Sequence, residues 1–172
     1  FRNYVLIDLA RILQSIESID IPATHVRFFK LCFASIIRNA SNADPVPVSG
    51  LEVTSHMLKK EKAGRVVNPF TLFARSVKRN LEAVRDFCEL SSASSCCRFY
   101  RVDATELGTR IATPVNAVIT SPPYHSAVDY YRRHTLEMYW LGLTEDHNAR
   151  LKLLPKYIGR SRVSRMHDFV QD

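Results

Sequence analysis

The sequence predicts an α/β chain with a large helical N-terminal portion and a smaller part built on two strands. Three observations carry this expectation. Apolar residues recur every three or four positions through residues 1–90, the period of a helix with one buried face. Two short β-prone runs follow at 97–102 and 115–120. The second run ends in a proline-stiffened loop, Ser121-Pro122-Pro123-Tyr124. The division falls at residue 95: a mainly helical region with a basic surface over 1–95, and over 96–172 the part that carries chemistry, with two strands and the helices after them.

The elements follow in order. Val5, Leu6, Leu9, Ile12, Leu13, Ile16 and Ile19 form one helix face, which Pro22 ends. A second helix fits 24–40, apolar over more than half its girth through Phe28, Phe29, Leu31, Cys32, Phe33, Ile36 and Ile37. Ser41 to Gly50 carries Asn, Asp, Pro and Gly and reads as a loop. The stretch 51–67 is mixed and basic, with Lys59, Lys60, Lys62 and Arg65. Asn68-Pro69 starts a helix, Asn as the cap and Pro in the first turn, running to about residue 90. Leu72, Phe73, Val77, Leu81, Val84 and Phe87 form its expected inner face, with Arg75, Lys78, Arg79 and Arg85 elsewhere on the cylinder. Residues 97–102 read as a strand, 105–110 as a brief helical turn or loop, and 115–120 as a second, largely apolar strand of the buried parallel kind.

Composition narrows the function. With 172 residues, 46% of them hydrophobic, the chain is long enough to bury a core. Twenty-four Lys and Arg against 17 Asp and Glu give a net charge of +7, and the plain reading of the basic helical half is a bundle with a solvated basic surface. The five glycines, at 50, 64, 108, 142 and 159, make no phosphate-cradling loop. Cys32, Cys88, Cys96 and Cys97 form no C-x-x-C and show no ligand spacing with the six histidines, so neither a disulfide framework nor a metal site is expected. That pattern, with no signal-peptide layout and no apolar run of membrane-spanning length, predicts a reduced, cytoplasmic protein. The opening Phe1-Arg2-Asn3-Tyr4 reads as a cut from a longer polypeptide.

The loop at 121–124 has specific chemistry. Each proline removes an N–H and fixes φ, so the loop presents carbonyl oxygens and few donors. Ser121 adds a hydroxyl acceptor and Tyr124 a flat aromatic face. Acceptors beside an aromatic plate suit a planar ligand bearing an NH₂ group. Holding both hydrogens of that group in fixed geometry helps localise its lone pair for attack, a positioning effect rather than strong base catalysis.

Thr120-Ser121-Pro122-Pro123-Tyr124 after an apolar run resembles the catalytic motif of the amino-DNA-methyltransferases. Asp103-Ala104 is similar to that family's upstream acidic site, with Val102 where the family usually has Gly. Asp129-Tyr130-Tyr131-Arg132-Arg133 and Leu136 to Gly142 resemble the helix after the motif in one subgroup, and Tyr157-Ile158-Gly159-Arg160 its next loop. The helical stretch 1–90 resembles an insertion carried by the same subgroup.

The resemblance implies an incomplete Rossmann-like methyltransferase fold. The activity implied is transfer of a methyl group from S-adenosylmethionine to the exocyclic amino group of cytosine (N4) or adenine (N6) in DNA, of the restriction-modification kind. Ser at 121 is closest to the cytosine-N4 branch. Ser121, Pro122, Pro123 and Tyr124 would be catalytic: Ser121 and the Pro122 carbonyl accept from the NH₂, and Tyr124 stacks on a flipped-out base. Asp103 and Ala104 would touch the cofactor. Asp129 and Tyr130 would line the site, and Arg132 and Arg133 would contact DNA phosphates.

The family's Phe-x-Gly-x-Gly loop is not in the sequence, so the missing N-terminal half of the domain is expected in the same or another chain. The plain alternatives are a turn cap for Asp103, an i,i+4 pair with Arg133 for Asp129, and core packing for Tyr139 and Trp140. The alternative functions are methylation of RNA or of a protein amide, and a non-catalytic nucleic-acid-binding relic.

Overall fold

The computed structural model describes residues 1–44, 51–91, 97–100, 102–103, 106–111, 113–121, 130–144 and 148–153. They form seven helices among the described residues: α1 (Asn3–Ser18), α2 (Ala23–Ala40), α3 (Ser55–Lys62), α4 (Pro69–Leu90), α5 (Leu107–Arg110), α6 (Tyr130–Trp140) and α7 (Asn148–Leu153). The core lies where α2 packs on α1, α4 and α6, with α1 also against α4.

The periodicity explains the packing. Val5, Leu9, Ile12 and Ile16 stand about one turn apart in succession along α1, and all four are buried. They meet Phe33, Ile36, Ile37 and Ala40 of α2 in one cluster, closed by Val67, with Phe29, Phe73, Leu136 and Trp140 packed against it. Fully burying a Val, Leu, Ile or Phe side chain of this cluster contributes about 1.5–3 kcal/mol. Pro22 does more than end the first helix. It is the N-cap residue of α2, and its carbonyl accepts the N–H groups of His25 (2.8 Å) and Val26 (3.2 Å).

The cap expected at Asn68 is present: its side chain accepts the Thr71 N–H at 3.0 Å, with Pro69 in the first turn of α4. The expected inner face of α4 holds only over its first half. Ser76 is buried against α2, donating to the Cys32 carbonyl at 3.1 Å. From Leu81 to Leu90 every residue is exposed, Phe87 at 70% and Leu90 at 87%. The helix runs past the end of the surface it packs on.

Helix α3 was not expected from the sequence. Thr54 caps it, accepting the Met57 N–H at 3.3 Å, and Met57 is its one buried residue. It ends at Gly64, with φ +78°, where the Arg65 N–H reaches the Lys60 carbonyl and the Gly64 N–H the Glu61 carbonyl. This left-handed stop suits glycine, which has no Cβ to strain it. It turns Arg65 onto the C-terminus of α2, where the guanidinium donates to the carbonyls of Asn39 (2.6 Å) and Ser41 (3.1 Å). A cation there satisfies carbonyls that have no partner within the helix. Glu61 pairs with both Arg65 and Arg2, and the hydrogen bond from Arg2 is the main cause holding its carboxyl below the usual value.

The α/β expectation is corrected here. The described residues are predominantly helical and contain no strand, so the incomplete Rossmann-like sheet is not formed by them. The expected strands at 97–102 and 115–120 run without regular structure wherever they are described. A strand exists only through a ladder to a neighbour, and β-propensity records how well a side chain fits a covered pleated surface. Phe99 (93%), Val118 (78%) and Ile119 (99%) have no such cover. Among the described residues no helix is long and apolar enough to cross a membrane.

Between α2 and α6, Arg38 and Glu137 approach at 3.5 Å with side chains only 11% and 17% exposed. Among the described residues both Nη atoms of Arg38 and Oε2 of Glu137 are buried without a hydrogen-bond partner. A half-satisfied buried pair supplies little net stability, while one partner alone is costly. Glu137→Gln is therefore expected to lower unfolding stability by about 3 kcal/mol. The double change Arg38→Met with Glu137→Leu is expected to match or exceed the wild type. Urea unfolding at pH 7 measures both, and a double variant as weak as the single one contradicts the account.

Candidate functional site

The candidate site begins after α4. The Asp103 side chain is exposed, and its carbonyl accepts the Glu106 N–H at 3.0 Å, opening the turn into α5. Thr109 closes α5 by donating its hydroxyl to the Glu106 carbonyl at 2.7 Å. The chain then runs irregularly from 113 to 121, and Ser121 is exposed at its end. Ala104, Pro122, Pro123, Tyr124 and Asp129 lie outside the described residues.

Helix α6 brings the remaining candidates back to the bundle. Tyr130 opens it, half exposed. Tyr131 points inward at 7% exposure, and its hydroxyl lies 2.5 Å from Oγ1 of the buried Thr144. Arg132 faces outward and meets Oε1 of Glu52 at 2.6 Å. Arg133 is half-buried and His134 exposed. One turn further, Glu137 meets Arg38. Trp140 then lies edge-on to Phe33 (ring centroids 5.8 Å apart) and to Phe1 (6.2 Å).

The inward face of α6 is thus Leu136, Glu137 and Trp140, while Tyr139, one position away, remains 43% exposed. Of the two aromatics expected in the core, Trp140 packs there and Tyr139 does not. Gly142, at φ +65°, ends the helix in the same left-handed turn as Gly64, with the Leu143 N–H on the Met138 carbonyl at 2.9 Å.

Tyr130, Arg132 and Arg133 therefore share one helix whose inner face is fixed to α2. Ser121 stands nine residues before that helix, and Asp103 lies further upstream. Two partners escaped the sequence reading. Glu52 meets Arg132 across 80 residues, and Arg38 meets Glu137 across 99; neither separation leaves a local signal.

The described cavities lie elsewhere. An apolar one of about 260 Å³ is lined by Ile12, Ser15, Ile16, Ile19, Phe29, Phe70 and Phe73. A more polar one of about 300 Å³ lies at Asn39, Arg65, Asn68, Thr71 and Arg75. Neither includes Asp103 or Ser121. Among the described residues no group of three His, Cys, Asp or Glu is placed to hold a metal ion. Cys32 is buried, and burial is the main cause pushing its thiol above the ordinary value, so it is poorly suited to act as a nucleophile.

No family model, curated protein or solved structure matches the chain.

The sequence has a single tryptophan, Trp140, so its emission reports the seating of α6 directly. Phe33→Ala is expected to cost about 3–5 kcal/mol, the usual range for a large aromatic lost from a core. It is also expected to shift native-state emission to the red. Loss of stability with unchanged emission would show that α6 does not depend on the Phe33 contact.

Proposed function

We propose that the chain serves in methylation of an exocyclic amino group in DNA, cytosine N4 or adenine N6, with S-adenosylmethionine as donor, and that it supplies the side of the site facing the target base. The observation that carries this reading is the sequence Ser121-Pro122-Pro123-Tyr124 itself, which follows the apolar run 115–120 and precedes α6 along the chain. In this reading the Ser121 hydroxyl and Pro122 carbonyl accept the two hydrogens of the target NH₂. Tyr124 stacks on the base, which must leave the duplex to be reached. Tyr130 and Asp129 flank it, and Arg132 and Arg133 bear on backbone phosphates. A cytoplasmic setting goes with this activity.

The residues present do not fit the cofactor by themselves. Asp103 is exposed, the cavities on the bundle do not include it, and no glycine loop stands near it in the sequence. Asp103 and Ala104 would then be one edge of a cofactor site whose remainder another segment or chain supplies.

The second reading is a helical module that binds nucleic acid without catalysis. The exposed Lys59, Lys60 and Lys62 of α3, with Arg75, Lys78, Arg79 and Arg85 of α4, favour it.

Two measurements test these readings. Isothermal titration of residues 1–172 with S-adenosylmethionine is expected to show no micromolar binding; a micromolar constant for the monomer contradicts the divided cofactor site. The coding sequence in its full natural length, assayed on plasmid DNA with methyl-labelled cofactor, is expected to lose about 100-fold or more in rate on Ser121→Ala. An unchanged rate removes Ser121 from the mechanism. DNA binding without transfer by the wild type favours the second reading.

A further inference from the structure

Arg132 leaves the outer side of α6 to meet a carboxylate that the chain itself holds in place. Glu52 is not a loosely held surface acid. Its carbonyl accepts the Asp44 N–H at 2.9 Å, and its Oε2 accepts the Leu51 N–H at 3.2 Å. Two residues on, the Thr54 hydroxyl donates to Asp44 Oδ2 at 2.5 Å, and Thr54 Oγ1 caps α3 by accepting the Met57 N–H. Its Oε1 meets Arg132 Nη2 at 2.6 Å, with the Glu52 and Arg132 side chains 41% and 46% exposed. A guanidinium binds a carboxylate and a phosphate in the same planar, forked geometry. A carboxylate fixed on Arg132 therefore marks a direction from which a phosphate can approach it.

From this arrangement we propose that Glu52 is an intramolecular placeholder for a nucleic-acid backbone phosphate: it holds Arg132 in the free protein and yields it when the polyanion binds. The inference rests on the nucleic-acid reading above and adds its regulation. The exchange is feasible because the pair is exposed at both ends, and exposed pairs contribute little net stability. Contact with Glu52 restricts the directions open to the Arg132 guanidinium, which limits the ordering needed on binding. It also sets a threshold, since only a ligand that presents phosphates to several cations at once displaces it.

The exchange has a signature in salt. Each phosphate neutralised by a free cation steepens the dependence of log K on log[salt] by about 0.9. In the wild type the charge of Arg132 is already met by Glu52, so its contact adds little to that slope.

The test uses a fluorescein-labelled 24-base-pair duplex and anisotropy from 50 to 300 mM KCl, with helix content of each variant checked by circular dichroism. Glu52→Gln is expected to tighten binding about threefold to tenfold at 50 mM KCl and to steepen the slope by about 0.9. Glu52→Asp keeps the charge but shortens the reach, and is expected to fall between the two. In an Arg132→Gln background the gain from Glu52→Gln is expected to vanish.

An equal gain in both backgrounds overturns the proposal, because it reduces Glu52 to a general repulsive charge. Wild-type binding with no response to any change at Glu52 overturns it as well and leaves the nucleic-acid reading intact. Failure of the wild type to bind the duplex at 50 mM KCl overturns both.

Discussion

The edge-to-face contact between Phe33 and Trp140 joins the two parts of the chain. Phe33 is fully buried at the centre of α2, the helix on which α1, α4 and α6 pack. Trp140 is the last residue of α6, whose other end carries the candidate phosphate contacts. Aromatic pairs in this geometry add about 0.5–1.5 kcal/mol to the area they bury. Their larger effect here is positional, because fixing one end of an eleven-residue helix fixes the direction of the whole rod. Tyr131 against Thr144 holds the other end.

The Arg38–Glu137 pair works differently. Its buried, partly unsatisfied atoms make it a poor source of stability but a strict discriminator of register. Sliding α6 by one residue would leave two buried charges apart and turn an apolar residue into their place. Apolar packing tolerates near-equivalent arrangements more readily than a charge pair does. The two kinds of contact on one helix thus divide the task, burial supplying stability and the pair helping to select the alignment.

What was legible in the sequence is what local physics decides. The apolar steps of α1 and α2 and the Asn68-Pro69 start of α4 are local signals, and the structure has them. Helix α3 was not legible because eight mostly charged residues with one buried Met57 give no periodic stripe; it forms through the Thr54 cap and the stop at Gly64. The runs at 97–102 and 115–120 failed for the opposite reason. Their β-prone composition is local, but a ladder is not, and the described residues supply none. In the candidate site, Arg132 could be named from sequence but not its contact with Glu52, which only the tertiary fold brings to it. The chemistry of Ser121 to Tyr124 is readable in residue types and proline geometry. Its setting depends on contacts between distant parts of the chain.

Helix α4 is held by two kinds of force along one continuous backbone. Up to Asn80 it has α2 beside it, with Asn80 Nδ2 on the Ser76 carbonyl at 2.9 Å and near Cys32 Sγ at 3.6 Å. Beyond that point it is a cantilever about 15 Å long, from ten residues at 1.5 Å each. No tertiary burial supports that end, so its hydrogen bonds rest on helix propensity and the cooperativity of the clamped turns behind it. A free helix of ten residues would melt in water; this one borrows its nucleus from the bundle. Amide protection should therefore decline turn by turn from Asn80 towards Leu90, a gradient of order within a single unbroken element.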